Sequence, residues 1–147
     1  MNIADYSSVG GDLAAPGGDY FSATGTVQDA ILAAMPASSS IYSSLDPLNG
    51  TFPGITTAAG PATYAWIQGT SMAAPHVTGV AALVIQLHPN WPPSAVAATL
   101  TRTATPMSCP PDWEPLGPND ERTRCTGGGG RTSFFGAGLV DAAAATS

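Results

Sequence analysis

The sequence predicts an α/β fold, and three observations predict it. One long apolar helix begins at Ser71. Two strand-like runs precede it, Leu13-Ala14-Ala15 and Ala62 to Gln68. A further helix follows it, from Ala95 to about Thr103. Strand-like and helical runs are thus mixed along 147 residues, a length that could form one domain with a real core.

The helix from Ser71 to Leu87 is the element around which the rest is arranged. Val77, Val80, Leu83, Val84 and Leu87 are its large positions, and Ala73, Ala74, Gly79, Ala81 and Ala82 fill much of the remainder. A helix that is apolar nearly all round is expected to be buried. Pro75 falls in its first turn, where a missing N–H costs least. Ser71 then stands at the positive end of the helix, beside backbone N–H groups that have no intrahelical acceptor. Negative charge on a substrate oxygen would be stabilised there.

In chain order, Met1-Asn2-Ile3-Ala4-Asp5-Tyr6-Ser7-Ser8 lacks the basic and apolar regions of a signal peptide. Leu13-Ala14-Ala15, stopped by Pro16-Gly17-Gly18, reads as a strand ending in a turn. From about Asp19 to Pro61 the chain is loop-rich, with turn formers at Pro47, Asn49-Gly50 and Pro53-Gly54. Within it, Val27 to Met35 is expected as a short helix after Thr26, and Ile41 to Leu45 as a strand. Asp19, Asp29 and Asp46 are too scattered to define a calcium site. Ala62 to Gln68, with Tyr64, Trp66 and Ile67, reads as a strand or hairpin arm feeding the Ser71 turn.

After the long helix, His88-Pro89-Asn90-Trp91-Pro92-Pro93 is a stop, and Ser94 is the expected cap of the second helix, which has Val96 and Leu100 on one face. Thr105 to Gly130 is a Pro/Gly-rich excursion holding both cysteines, Cys109 and Cys125. They are expected either as a disulfide or as two free thiols. Two cysteines with no histidine in the loop make only half a zinc site.

The formal charge is -6 with four Lys plus Arg, so no basic patch exists for nucleic acid. Only 10% of residues are charged, against 17 glycines and 14 prolines, so loops and buried segments dominate. No apolar run is expected to reach the length of a membrane span.

The stretch Gly69-Thr70-Ser71-Met72-Ala73-Ala74-Pro75-His76-Val77-Thr78-Gly79 closely resembles the serine motif of the subtilase (subtilisin-like) serine proteases, matching at every position. Two other blocks resemble the same family in the same order: Ser7-Ser8 with Asp12-Leu13-Ala14-Ala15-Pro16-Gly17, and Phe135-Gly136-Ala137-Gly138-Leu139-Val140-Asp141-Ala142. The His88-Pro89 break resembles a break the family often has there. The resemblance implies the C-terminal portion of a subtilisin-like three-layer fold, with a parallel sheet and a central helix beginning at the catalytic serine. Residues 1–147 would then be the C-terminal part of one peptidase domain. It implies Ser71 as nucleophile, with its backbone N–H, Thr70 and Gly69 forming and positioning one side of the oxyanion site. Ile67 and Gln68 are implied as substrate contacts, although Ile67 and Trp66 read equally well as core. The family's export makes the Cys109–Cys125 disulfide the expected pairing. Closing that loop would add roughly 3 kcal/mol by chain entropy.

Peptide hydrolysis by serine needs a base, a carboxylate that orients the base, and an oxyanion hole. Subtilases carry Asp, His and an oxyanion Asn ahead of the serine, and no Asp-(Ser/Thr)-Gly block and no His-Gly-Thr block occurs upstream of Ser71 here. His76 lies five residues along the same helix, ~7.5 Å of rise and ~140° round from Ser71. His88 is on the order of 25 Å away along the axis. Neither reaches Ser71, so His76 is expected as a core histidine and His88 as a helix-end histidine.

The expectation is therefore a serine-type endopeptidase acting on protein or peptide substrates as part of a complete subtilase. Its other partner would be the N-terminal half that carries Asp, His and Asn. The intact protein would be secreted and need no cofactor, with calcium possible by the family resemblance. This chain alone would be inactive and expose apolar surface. The competing expectation is a non-catalytic subtilase remnant that binds a peptide or a partner.

Overall fold

A computed structural model of the chain describes residues 3–4, 6–19, 29–35, 55–57, 60–111 and 124–147. They fall into two compact units. One is Gly17–Met72, the other Met1–Pro16 with Ala73–Ser147.

The Gly17–Met72 unit holds a three-stranded antiparallel sheet. Its strands are β1 (Ile31–Met35), β2 (Ile55–Thr57) and β3 (Gly60–Ile67), in the order β1-β3-β2. β1 pairs with β3 from Ile31 opposite Ile67 to Met35 opposite Thr63, and β2 with β3 from Ile55 opposite Ala62 to Thr57 opposite Gly60. The short connection between β2 and β3 permits only an antiparallel pair. β3 is rich in Thr, Tyr, Trp and Ile, residues that suit a pleated surface. The expected helix over Val27 to Met35 is corrected: Ile31–Met35 is a strand. Leu, Ala and Met favour helix in isolation, and pairing along β3 overrides that preference. The expected strand over Ile41 to Leu45 lies outside the described residues.

Helix α1 (Thr70–Leu87) begins in this unit and continues through the other. The Met1–Pro16 and Ala73–Ser147 unit adds α2 (Pro93–Thr103), a two-residue hairpin of β4 (Gly127–Gly128) with β5 (Arg131–Thr132), and the one-turn helix α3 (Ala142–Ala145). Its core is Val80 and Val84 of α1, Val96 and Leu100 of α2, and Ala145 of α3, with Leu13, Val77, Ala81 and Val140 packed against it. The expected cap is also corrected. Pro92 occupies the N-cap, Pro93 is the first helical residue, and Ser94 lies inside the first turn. The Pro92 carbonyl accepts from Ala95 and Val96 N–H, and the fixed φ of Pro93 starts the helix without a side-chain cap.

Segments far apart in sequence close this unit. Leu139 exchanges two backbone bonds with Thr105, and Ala14 accepts from Val140 N–H while donating to the Gly138 carbonyl. Gly136 has φ +56, and a Cβ there would overlap the Asp12 carbonyl. Asp12 also pairs with Arg131 at 2.7 Å. Cys109 and Cys125 are joined in a disulfide with Cα atoms 5.5 Å apart.

The α/β expectation holds, with the parallel element represented among the described residues by the bridge between Ala14 and Leu139. The expected burial of α1 is met on one face only, and the apolar surface expected to be exposed in this chain alone lies along the rest. Val84 is fully buried and Val80 nearly so, while Leu83, Ile85 and Leu87 are 46%, 49% and 53% exposed. Apolarity all round makes a helix coverable on every side, but only one of its faces meets α2 and α3 here. At 18 residues α1 is long and apolar enough, by length and composition only, to cross a membrane, a test that the core helix of a soluble protein also passes. Pro75, His76 and Gln86 within it suit a membrane span poorly.

Candidate active site

The sheet delivers the chain to Ser71. β3 ends at Ile67, opposite Ile31, and Gln68 and Gly69 follow before α1 starts at Thr70. Gly69 has φ +148, a backbone state that side chains rarely adopt. Its N–H donates to the Gly17 carbonyl at 2.9 Å, and its own carbonyl accepts from Met72 N–H at 2.9 Å. That second bond closes the first turn of α1. Thr70 and Ser71 are exposed at its start, where a helix offers their N–H groups no intrahelical acceptor. The arrangement presents a hydroxyl and backbone donors together at the positive end of an 18-residue helix.

The other candidates are placed as follows. Ile67 is buried, 8% exposed, so its side chain belongs to the packing of the unit. Gln68 is half-buried and engaged. His76 is exposed on α1, which corrects its expected place in a core; it is engaged, though on a helix its side chain diverges from that of Ser71. His88 stacks on Trp91, ring centroids 3.7 Å apart, at the end of α1. The sequence contains no third histidine. Among the described residues, no three of His, Cys, Asp or Glu gather as a metal site would require.

Asp141 has a clear electrostatic perturbation in the other unit. Ala144 N–H, donating to its Oδ1 at 2.9 Å, holds the carboxyl below the ordinary carboxylate range; partial desolvation opposes this and the Thr105 hydroxyl assists. This is the cap of α3 and not part of the serine turn.

Sequence reasoning missed the contact behind Gly69. Pro16-Gly17-Gly18 reads as the end of a strand, and nothing local marks its carbonyl as the acceptor for a residue 52 positions on. The paired glycines were the available signal.

Comparison with known proteins bears on the whole chain. The model of the subtilase family matches residues 1–138. The chain is 56% identical over 45 residues to subtilisin-like protease SBT4.3 of Arabidopsis thaliana, which is 31% of this chain and 6% of that protein. It is 38% identical over 99 residues to M-protease of Shouchella clausii, 67% of this chain and 18% of that protein. A psychrophilic subtilisin-like protease from the Antarctic psychrotroph Pseudoalteromonas sp. AS-11 is similar in structure with a TM-score of 0.43 and 32% identity, over 59% of this chain and 18% of that one. The chain thus spans less than a fifth of the length of each of these relatives.

Proposed function

The chain belongs to the subtilase family of serine peptidases, and on that premise we propose that it supplies the nucleophile, Ser71, of a serine-type endopeptidase. One observation carries the reading. The Ser71 hydroxyl is exposed at the N-terminus of α1, on a turn whose backbone is fixed by two bonds to Gly69.

In this reading Ser71 Oγ attacks the scissile carbonyl carbon and loses its proton to a histidine. The C–N bond then breaks, the nitrogen leaves with that proton, and water hydrolyses the resulting acyl-serine. The Ser71 N–H donates to the carbonyl oxygen as it becomes negative, helped by the helix field. Gly69 and Thr70 hold that N–H in place. The main chain of Ile67 and Gln68 lies beside the leaving-group side of the peptide.

His76 and His88 do not serve as the base, because neither approaches Ser71 along α1. The histidine, its orienting carboxylate and the second oxyanion donor come from polypeptide outside these 147 residues. The disulfide supports an oxidising, extracellular setting.

A fluorophosphonate probe tests the assignment. The chain alone is expected to label negligibly. Mixed with a subtilase segment bearing the Asp and His blocks, it is expected to label at Ser71, and Ser71→Ala is expected to abolish the label. Labelling of the unaided chain at an ordinary protease rate would sink the claim that the base lies outside it. Labelling of the mixture at another residue would sink the nucleophile.

A further inference from the structure

Behind the serine turn, backbone contacts within the Gly17–Met72 unit form a closed path. Gly17 accepts from Gly69 N–H, and two residues on, Asp19 N–H donates to the Asp29 carbonyl at 2.9 Å. Gly18, between these bonds, has φ +83. A Cβ on it would stand 2.9 Å from Ala30 Cα and 3.2 Å from Ile31 N. Ala30 is itself buried. Ile31 pairs with Ile67, which returns the path to Gly69 through Gln68. Residues 17–19 are thus bonded to the serine turn at one end and to the start of β1 at the other, with Gly18 pressed against main chain between them. The near atoms are all backbone, so no side-chain rotation makes room for a methyl group.

We propose that residues 17–19 are a brace that holds the Ser71 turn in register with β1 and β3, and that Gly18 is its positioning residue. The brace works through one carbonyl. If Gly18 is pushed off Ala30, the Gly17 carbonyl moves with it and Gly69 N–H loses its acceptor. Gly69 also starts α1 through its bond with Met72 N–H, so the Ser71 hydroxyl and N–H lose their common reference. Misplacement on the order of 1 Å is enough to slow a positioned reaction about a hundredfold. The catalytic consequence rests on Ser71 being the nucleophile; the brace itself does not.

Amide hydrogen exchange on the full chain tests it. In the wild-type chain, Gly69 N–H is expected to exchange more slowly than Thr70 and Ser71 N–H. In Gly18→Ala, Gly69 is expected to exchange at least about tenfold faster, while Val84 and Leu100 amides in the other unit keep their rates. Equal wild-type rates at Gly69, Thr70 and Ser71 overturn the brace even if the variant does not fold. Unchanged exchange at Gly69 in the variant overturns it too, as does uniform acceleration at every amide. In the complemented mixture, Gly18→Ala is expected to slow Ser71 labelling while Gly128→Ala, in the β4–β5 hairpin and with nothing within 4 Å of its Cβ, leaves it unchanged. Exchange involves no chemistry at Ser71, so the brace and the nucleophile fail by different results.

Discussion

The two units are held together by different means. The Met1–Pro16 and Ala73–Ser147 unit combines side chains (Val80, Val84, Val96, Leu100 and Ala145 in a core, a disulfide, and Asp141 capping α3) with the backbone bonds that join Ala14, Thr105 and Leu139. Around Ser71, in the Gly17–Met72 unit, the described contacts are a ladder on β3, the Gly17–Gly69 bond and Gly18 against Ala30, with Ala30 and Ile67 buried. Side-chain packing tolerates small shifts at a graded cost, whereas a backbone contact at a glycine is kept or lost. The turn that carries Ser71 lies in the second kind of structure. A site that must hold an N–H and a hydroxyl to a fraction of an ångström gains from that stiffness.

Three measurements break or sharpen this contrast. The largest effect is expected from the disulfide. Reduction, or Cys109→Ser with Cys125→Ser, should lower the unfolding free energy by roughly 3 kcal/mol in urea, since the link closes a loop across 16 positions. An unshifted midpoint would mean that the noncovalent contacts suffice. Next is packing. Val84→Ala should cost about 2 kcal/mol, and Leu83→Ala, one residue away but 46% exposed, less than about 0.5 kcal/mol. Equal losses would show that α1 has no distinct core face.

The smallest effect is a pH dependence. The Asp141 carboxyl is held below its ordinary value in the folded chain, so its contribution is present above the unfolded pKa and is lost as pH falls through the folded one. Melting at neutral and strongly acid pH should show a larger acid loss in wild type than in Asp141→Asn. Equal losses would remove the cap from the account.

Much of this was legible before any coordinates. α1 and α2 are marked by their apolar spacing, and the Ser71 turn by Gly-Thr-Ser at the head of a long apolar run. Ile31 to Met35 was not legible, because its residues favour helix and its strand exists only against β3, some 30 positions later. Ser94 misled because a serine before an apolar face is a good cap signal, and Pro92-Pro93 satisfied the same requirement through geometry. The exposure of α1 was legible too, since the helix after Ser71 was expected to lack neighbours in this chain alone. The brace was hidden because it is made of carbonyls and glycines, which carry no pattern.

The pairing of the chain's early and late segments has a consequence for the order of folding. Asp12 bonds to Arg131 across 119 positions, and Ala14 and Thr105 both wait for Leu139. No part of that closure can form before residues 131–140 have been made. Bringing such distant pieces together costs loop entropy before any contact repays it. The segment from Gly10 to Ala14 must therefore wait for these partners until residues 131–140 have been made. Until then its backbone donors and acceptors are satisfied by water, and closure is expected to be slow because its contacts lie so far apart in sequence.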